Sequence, residues 1–263
     1  MIEPKTEKHI TGDNIPVTTV KPFEVVIPVY NEEKQLEKSI LTLYEFLDQE
    51  YPSVQWNITI ANNGSIDSTK EIAVRLAEKY ERIKYFHLNE KGFGKAIKSV
   101  WNESTKVILG FMDLDLSTDL KHVPEAINIL QDDSTDLVVG NRLGSKSLVE
   151  NRKLLRKITS RVFNFILKKY LRVTFSDGMC GFKFIKKKSF VKLIDFGIHN
   201  DGWFFSTELL ILAEWLNFNI YEIPVHWVDT KDSKVKIIEL AKKFLKEMVK
   251  VKSRLRYKKY QRF

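Results

Sequence analysis

Cysteine is almost absent. Cys180 stands alone in 263 residues, so no internal disulfide can form, and neither CxxC spacing nor a histidine cluster accompanies it to build a zinc site. A reducing, cytoplasmic setting is expected. Glycine and proline are sparse, at 11 and 7 residues, which excludes collagen-like and low-complexity chains. No apolar run reaches the ~18 residues that span a bilayer, because Asp113, Lys168 and Glu214 interrupt the best candidates. The opening MIEPKTEKHITGDNIP lacks the apolar core of a secretory signal and reads as a flexible tail over residues 1–20.

What the chain has in quantity is charge, unevenly placed. Residues 231–263 hold 13 Lys/Arg against 3 Asp/Glu, and 141–172 hold 10 against 1, leaving 20 against 30 elsewhere. An acidic body carrying two basic, helical-looking segments suits an anionic surface docking on one side. Two merely solvated helices would show the same charge. No RNP-like, helix-turn-helix or zinc-finger pattern accompanies it, so nucleic acid is not the expected partner.

From Phe23 the chain alternates short apolar runs with amphipathic stretches. FEVVIPV, WNITIAN, IKYFHL, KVILGFM and DLVVG read as strands, separated by helices over about 32–50, 67–80, 95–103 and 123–130. Near-continuous apolarity marks strands covered on both faces, hence an α/β, doubly wound, mainly parallel sheet. A basic helix over about 152–172, the loop SDGMCGF, a strand FKFI, a helix over 207–216 and a strand IYEIPVHW follow, and a helix from about 235 closes the chain. The expected organisation is the tail 1–20, a domain 21–230 and a basic amphipathic segment 231–263.

In such sheets ligands sit beyond the carboxyl ends of the strands, so the loops that follow strands carry the chemistry. Pro28-Val29-Tyr30-Asn31-Glu32 and Asn62-Asn63-Gly64-Ser65-Ile66-Asp67 run from strands into polar groups, as ordinary helix caps also do. Lys91-Gly92-Phe93-Gly94-Lys95 is a glycine-rich loop before a helix, whose amides and two ammonium groups suit a diphosphate, without the spacing of a P-loop. Met112-Asp113-Leu114-Asp115 sets two carboxylates at the end of a very apolar strand. Like charges so placed call for a hard divalent cation, or else cap the next helix.

Together the four loops resemble glycosyltransferase family 2, whose nucleotide-sugar-binding GT-A fold carries a PxYNE-like first loop, an Asp-Gly-Ser-x-Asp second loop, a KGxGxA-like third loop and a DxD metal motif. The resemblance covers about residues 23–142. It implies a donor site around Pro28, Tyr30, Glu32, Asn63 and Lys91, with Asp113 and Asp115 facing the donor and holding Mg2+ or Mn2+. The chain departs from the family at Asn62-Asn63, where an acidic pair is usual. Further on, Gly140-Asn141-Arg142, Arg156-Lys157-Ile158-Thr159-Ser160-Arg161, Asp177 with Gly181-Phe182-Lys183, WFFSTELL and IPVHW with Ser233-Lys234 resemble the dolichyl-phosphate mannose and glucose synthase branch, with Ser206 where that branch has Asp.

The branch implies that Arg142, Arg156, Ser160, Asp177 and Glu208 meet the acceptor phosphate, Arg142 and Arg156 being catalytic with Asp113 and Asp115. Arg152, Arg156, Ser160 and Asn164 recur every four residues and share one helical face, while Leu155, Ile158, Val162 and Phe165 share another. The expected reaction is metal-dependent, inverting transfer of a hexose from a UDP- or GDP-sugar to polyprenyl or dolichyl phosphate. A peripheral protein on the cytoplasmic membrane face would carry it out, held to anionic lipid by basic amphipathic interfacial helices. In the last segment Ile237, Ala241, Phe244 and Met248, joined by Ile238, Leu245 and Val249, line one side of a helix flanked by lysines. That pattern suits an interfacial helix whose removal leaves a folded domain, and it equally suits a helix packed on the core. A soluble saccharide or protein acceptor, or a non-catalytic nucleotide-sugar sensor, are the alternative functions.

Overall fold

The computed structural model describes residues 20–229 and 237–260. Residues 1–19 of the expected tail and Ser233-Lys234 lie outside them. The chain runs β1 (Phe23–Val29), α1 (Leu36–Glu50), β2 (Trp56–Asn63), α2 (Thr69–Lys79), β3 (Ile83–Leu88), α3 (Phe93–Glu103), β4 (Ile108–Met112), α4 (His122–Gln131) and β5 (Leu137–Asn141). It continues through β6 (Leu148–Glu150), α5 (Leu154–Leu171), β7 (Phe182–Lys186), α6 (Lys187–Phe196), α7 (Phe205–Trp215), β8 (Ile220–Pro224), β9 (His226–Val228) and α8 (Ile237–Tyr260). Seven strands form one sheet in the order β3-β2-β1-β4-β7-β5-β8, with β7 antiparallel to both neighbours and every other pair parallel.

All seven residues of β1 are buried, as a central strand covered on both faces requires. Helix α1 buries Leu36, Ile40, Leu43 and Leu47, a single stripe at helical spacing. The mainly parallel α/β sheet expected from the sequence is therefore present, with three differences. IYEIPVHW is two strands rather than one: β8 closes the main sheet, whereas β9 leaves it and pairs with β6. Helix α6 leaves little trace in the sequence, because its buried stripe is only Ser189, Phe190 and Leu193 in a lysine-rich segment.

The third difference concerns α8. Phe244, Met248, Val251 and Leu255 are buried, with Phe244 against Phe163 of α5 and Phe204 at ring-centroid distances of 5.5 and 5.2 Å. The core-packing reading holds for this stripe, and α8 is part of the domain's body rather than an appendage. Leu245 and Val249 stay exposed. The side chains of Ile237, Ile238 and Ala241 lie outside the described residues. Among the described residues no helix is long and apolar enough to cross a membrane.

Candidate active site

The parallel strands β1, β2 and β4 end at one edge of the sheet, and the first two loops there are laced together. Asn31, in the left-handed region at φ 55, donates its N–H to Ser65 Oγ at 2.9 Å, and its Oδ1 accepts the Ile66 N–H at 2.9 Å. Glu32 N–H donates to Thr69 Oγ1 at 2.8 Å, and Asn63 Nδ2 donates to the Val29 carbonyl at 2.9 Å. The amide of Asn63 is thereby oriented by backbone next to Pro28. Asn62 accepts the Ser65 N–H and donates to Tyr85. Both asparagines thus serve as neutral hydrogen-bonding joints where the family pattern puts charge.

Lys91 reaches over the Tyr30 ring at 3.8 Å, so two expected donor residues meet in space through a cation–π contact. The glycine-rich loop itself is used differently from the sequence reading. Gly94 and Lys95 donate their N–H groups to the Asp201 carbonyl at 2.8 and 3.1 Å, and the Lys95 ammonium pairs with Glu90. These amides are therefore not open to a diphosphate. Gly94 is needed for contact instead: a Cβ there would lie 2.7 Å from the Asn200 carbonyl oxygen and overlap Phe205.

Asp113 and Asp115 occupy the turn after β4. Asp113 N–H donates to the Gly181 carbonyl at 3.2 Å, and a side chain at Gly181 would overlap the Asp113 carboxylate. Asp115 Oδ1 accepts the Ser117 N–H at 3.0 Å across Leu116, whose φ of 49 is costly for a branched residue. Burial, and then the Asp115 charge, push Asp113 up to about 7 against the pull of Arg142, Lys183 and Arg156. No group of three His, Cys, Asp or Glu side chains able to hold a metal occurs among the described residues. Two crowded carboxylates with hard oxygen donors suit a divalent cation that takes its other ligands from a diphosphate and water.

Close enough to act on Asp113 lies a cluster of arginines. Arg142, just after β5, forks onto Asp177: Nε donates to Oδ2 at 2.7 Å and Nη2 to Oδ1 at 3.0 Å. Burial alone would weaken the Arg142 charge, but Asp177 outweighs it and raises Arg142 above its ordinary range, while Arg142 in turn holds the buried Asp177 low. Arg142 also stacks on Trp227 at 4.7 Å; Trp227 Nε1 donates to Asp229 at 2.7 Å, and Asp229 lies 3.2 Å from Arg156. Arg152 donates Nη2 to Ser160 Oγ at 2.6 Å and keeps a buried Nε without a partner. Burial and repulsion from Arg142 push Arg152 down. Three guanidinium groups thus converge on two carboxylates, Asp177 and Asp229, beside Asp113.

Two residues depart from expectation. Glu208, implied at the acceptor phosphate, lies fully buried and instead accepts the N–H groups of His199 and Asn200 and pairs with Arg254 of α8. Lys183, quoted in the sequence only within a motif, is completely buried in β7 and donates to the Cys180 carbonyl at 2.6 Å and Ser206 Oγ at 2.7 Å. Its burial pulls it down to about 8. The alternation of FKFI disguises it, because a lysine between two phenylalanines reads as the solvent side of a strand.

A mainly parallel α/β sheet whose carboxyl edge gathers an acidic pair, an oriented polar double loop and an arginine cluster fits a glycosyltransferase class of protein. The family model for glycosyl transferase family 2 matches residues 24–194. The chain belongs to this family. It is 31% identical over 215 residues to the glycosyltransferase AglD of Haloferax volcanii, covering 81% of this chain but 34% of that protein. It is 27% identical over 248 residues to the dolichyl-phosphate beta-glucosyltransferase of Drosophila melanogaster, covering 89% and 75%. The chain thus spans about a third of AglD and about three quarters of the insect protein. Among solved structures, glucosyl-3-phosphoglycerate synthase of Mycobacterium tuberculosis, with Mn2+, UDP and phosphoglyceric acid, superposes with a TM-score of 0.65 at 18% identity, covering 89% of this chain and 78% of that one.

Proposed function

We propose that this glycosyltransferase moves a hexose from a UDP- or GDP-sugar to polyprenyl or dolichyl phosphate at the cytoplasmic face of a membrane, with inversion at the anomeric carbon. The observation that carries the reading is the apolar outer ridge of α5. Its polar residues Arg156, Ser160 and Asn164, with Arg152 just before the helix, turn toward Asp229, Asp177 and the acidic pair beside the buried Phe163 and Leu167, and Asn164 is buried where its Oδ1 accepts the Gly178 N–H at 2.9 Å. Its apolar residues Leu154, Leu155, Ile158, Val162 and Phe165 face outward, the first 71% and the last 61% exposed. A helix of a water-soluble enzyme keeps its apolar stripe turned inward and presents polar residues outward. An apolar outer ridge beside Lys157, Lys168 and Lys169 suits a lipid surface, and a phosphate carried by that lipid would meet the arginines directly behind it. The names of the dolichyl-phosphate glucosyltransferase relatives agree with this acceptor.

The acceptor phosphate is anionic at neutral pH and needs positioning more than deprotonation. Arg156 and Arg152 supply the orienting charge, while Arg142, two of whose nitrogens are committed to Asp177, contributes chiefly field and rigidity. Pro28, Tyr30, Glu32, Asn63 and Lys91 enclose the nucleoside. Mg2+ or Mn2+ held by Asp113 and Asp115 would neutralise the departing diphosphate, in keeping with the Mn2+ of the structurally similar enzymes. Transfer is tested with UDP- and GDP-hexoses against a polyprenyl phosphate in vesicles and against soluble saccharides. Lipid-linked product that Asp115→Asn abolishes, and that Arg156→Ala cuts severely while nucleotide affinity is kept, is expected. Transfer to soluble acceptors alone, or nucleotide binding lost equally in Arg156→Ala, overturns the acceptor assignment.

A further inference from the structure

The segment between α6 and α7, residues 197–202, joins two distant parts of the molecule. On one side it fastens α3: the Asp201 carbonyl accepts the first amides of that helix, from Gly94 and Lys95, and the Asp201 carboxylate lies 2.8 Å from the Lys98 ammonium. No side chain of α3's own segment caps these amides. The start of α3, and with it Lys91 over Tyr30, is therefore placed by loop 197–202.

On its other side the loop is gripped by α8. The buried Glu208 carboxylate accepts the Asn200 N–H at 2.7 Å and the His199 N–H at 3.2 Å, and its second oxygen pairs with Arg254. Arg254 Nη1 donates to the Gly197 carbonyl at 3.0 Å, and Asn200 Nδ2 donates to Glu247, two turns earlier on α8, at 3.1 Å. The loop is thus held near both ends by one helix. Arg254 sets a cation against a carboxylate with no exposure, and its two-pronged contact to Glu208 and Gly197 uses the planar fork that lysine lacks.

We propose that Arg254 is a positioning residue for the donor side of the site. Its guanidinium fixes Glu208 and Gly197, the loop they hold fixes the start of α3, and the Lys91–Tyr30 pair is thereby presented to the nucleotide. This rests on the donor reading of Lys91 and Tyr30 given above.

The test uses the full chain as wild type, Arg254→Met and Arg254→Lys, with hydrogen exchange at individual amides, calorimetric titration of UDP and GDP with Mn2+, and separate KM values for donor and acceptor. Arg254→Met is expected to accelerate exchange at Gly94 and Lys95 and to weaken nucleotide binding by about ten-fold, with protection in β1 and β4 and the acceptor KM unchanged. Arg254→Lys, which keeps the charge and loses the fork, falls between, and it carries the test alone if Arg254→Met does not fold. Wild-type exchange at Gly94 and Lys95 in a folded variant, or equal losses for donor and acceptor, overturns the inference while leaving the proposed function standing. A wild-type protein that binds neither nucleotide overturns the donor reading itself, and the positioning role with it.

Discussion

Arg142 and Lys183 show how differently two buried cations can be provided for. Arg142 is paired by both oxygens of Asp177, so Arg142→Ala strands a buried carboxylate and should cost about 3–5 kcal/mol, read as a lower urea midpoint at unchanged m. Arg156, 30% exposed and opposite Asp229, should cost far less stability on truncation, which makes it the cleaner probe of the acceptor. Among the described residues Lys183 hydrogen-bonds to a carbonyl and a hydroxyl and has no carboxylate within ion-pair distance. Because its folded pKa near 8 lies below the ordinary 10.5, the unfolded chain binds the extra proton between those values, and this residue's contribution to stability rises with pH across that window. In Lys183→Met that rise should vanish, as unfolding free energies measured from pH 7.5 to 10 would show; an unchanged slope would place the titration elsewhere. Asp113→Asn, relieving the crowding with Asp115, should raise the melting temperature while Asp115→Asn and Asp113→Asn both lose Mn2+-dependent stabilisation.

At the level of elements, much was legible because strands covered on both faces announce themselves: β1, β2, β4 and β5 are near-continuous apolar runs, and the polar loops behind them hold the motif residues. What stayed hidden was direction and orientation. Nothing in Phe182–Lys186 says that the strand runs antiparallel, and periodicity told the two faces of α5 apart without telling which one turns inward. The glycine-rich loop misled for a related reason, since its amide donors look available until a segment more than a hundred residues away supplies the acceptor. Two predictions belong here. Val162→Glu with Phe165→Glu on α5 should leave the melting temperature within about 1 °C, because surface changes of this kind move stability little, yet abolish sedimentation with anionic vesicles; retained sedimentation would remove α5 from the lipid contact. His226, between Glu150 of β6 and Asp119 at 2.6 and 3.2 Å, has its pKa raised by those two hydrogen bonds. Its contact residues also include His122, whose Nε2 accepts the His226 N–H. The stabilisation is complete below about 6.5 and is lost as pH climbs through the raised value, so the melting difference between wild type and His226→Gln should shrink on moving from pH 6 to pH 9.

For the whole molecule, the basic C-terminal segment is the part whose role changed most. Its lysines suit anionic headgroups, but Phe244, Met248, Val251 and Leu255 close the core, and Arg254 neutralises Glu208. Ending the chain at residue 236 should therefore yield a destabilised protein rather than a trimmed, folded one, visible as loss of a cooperative melt; a truncated chain that melts like wild type would return α8 to the status of an appendage. The antiparallel strand has a further consequence, for the order of assembly. Strands β4 and β5 share no ladder; each pairs only through β7 on that side, across sequence separations of about 70 and 45 residues. The sheet β3-β2-β1-β4 can close as soon as residue 112 has emerged, whereas β5 waits unpaired at its inner edge until residue 186 arrives. Because β7 pairs with both strands, it is what sets the acidic turn after β4 beside Arg142 after β5, and a chain that ends before residue 182 lacks the strand that joins them.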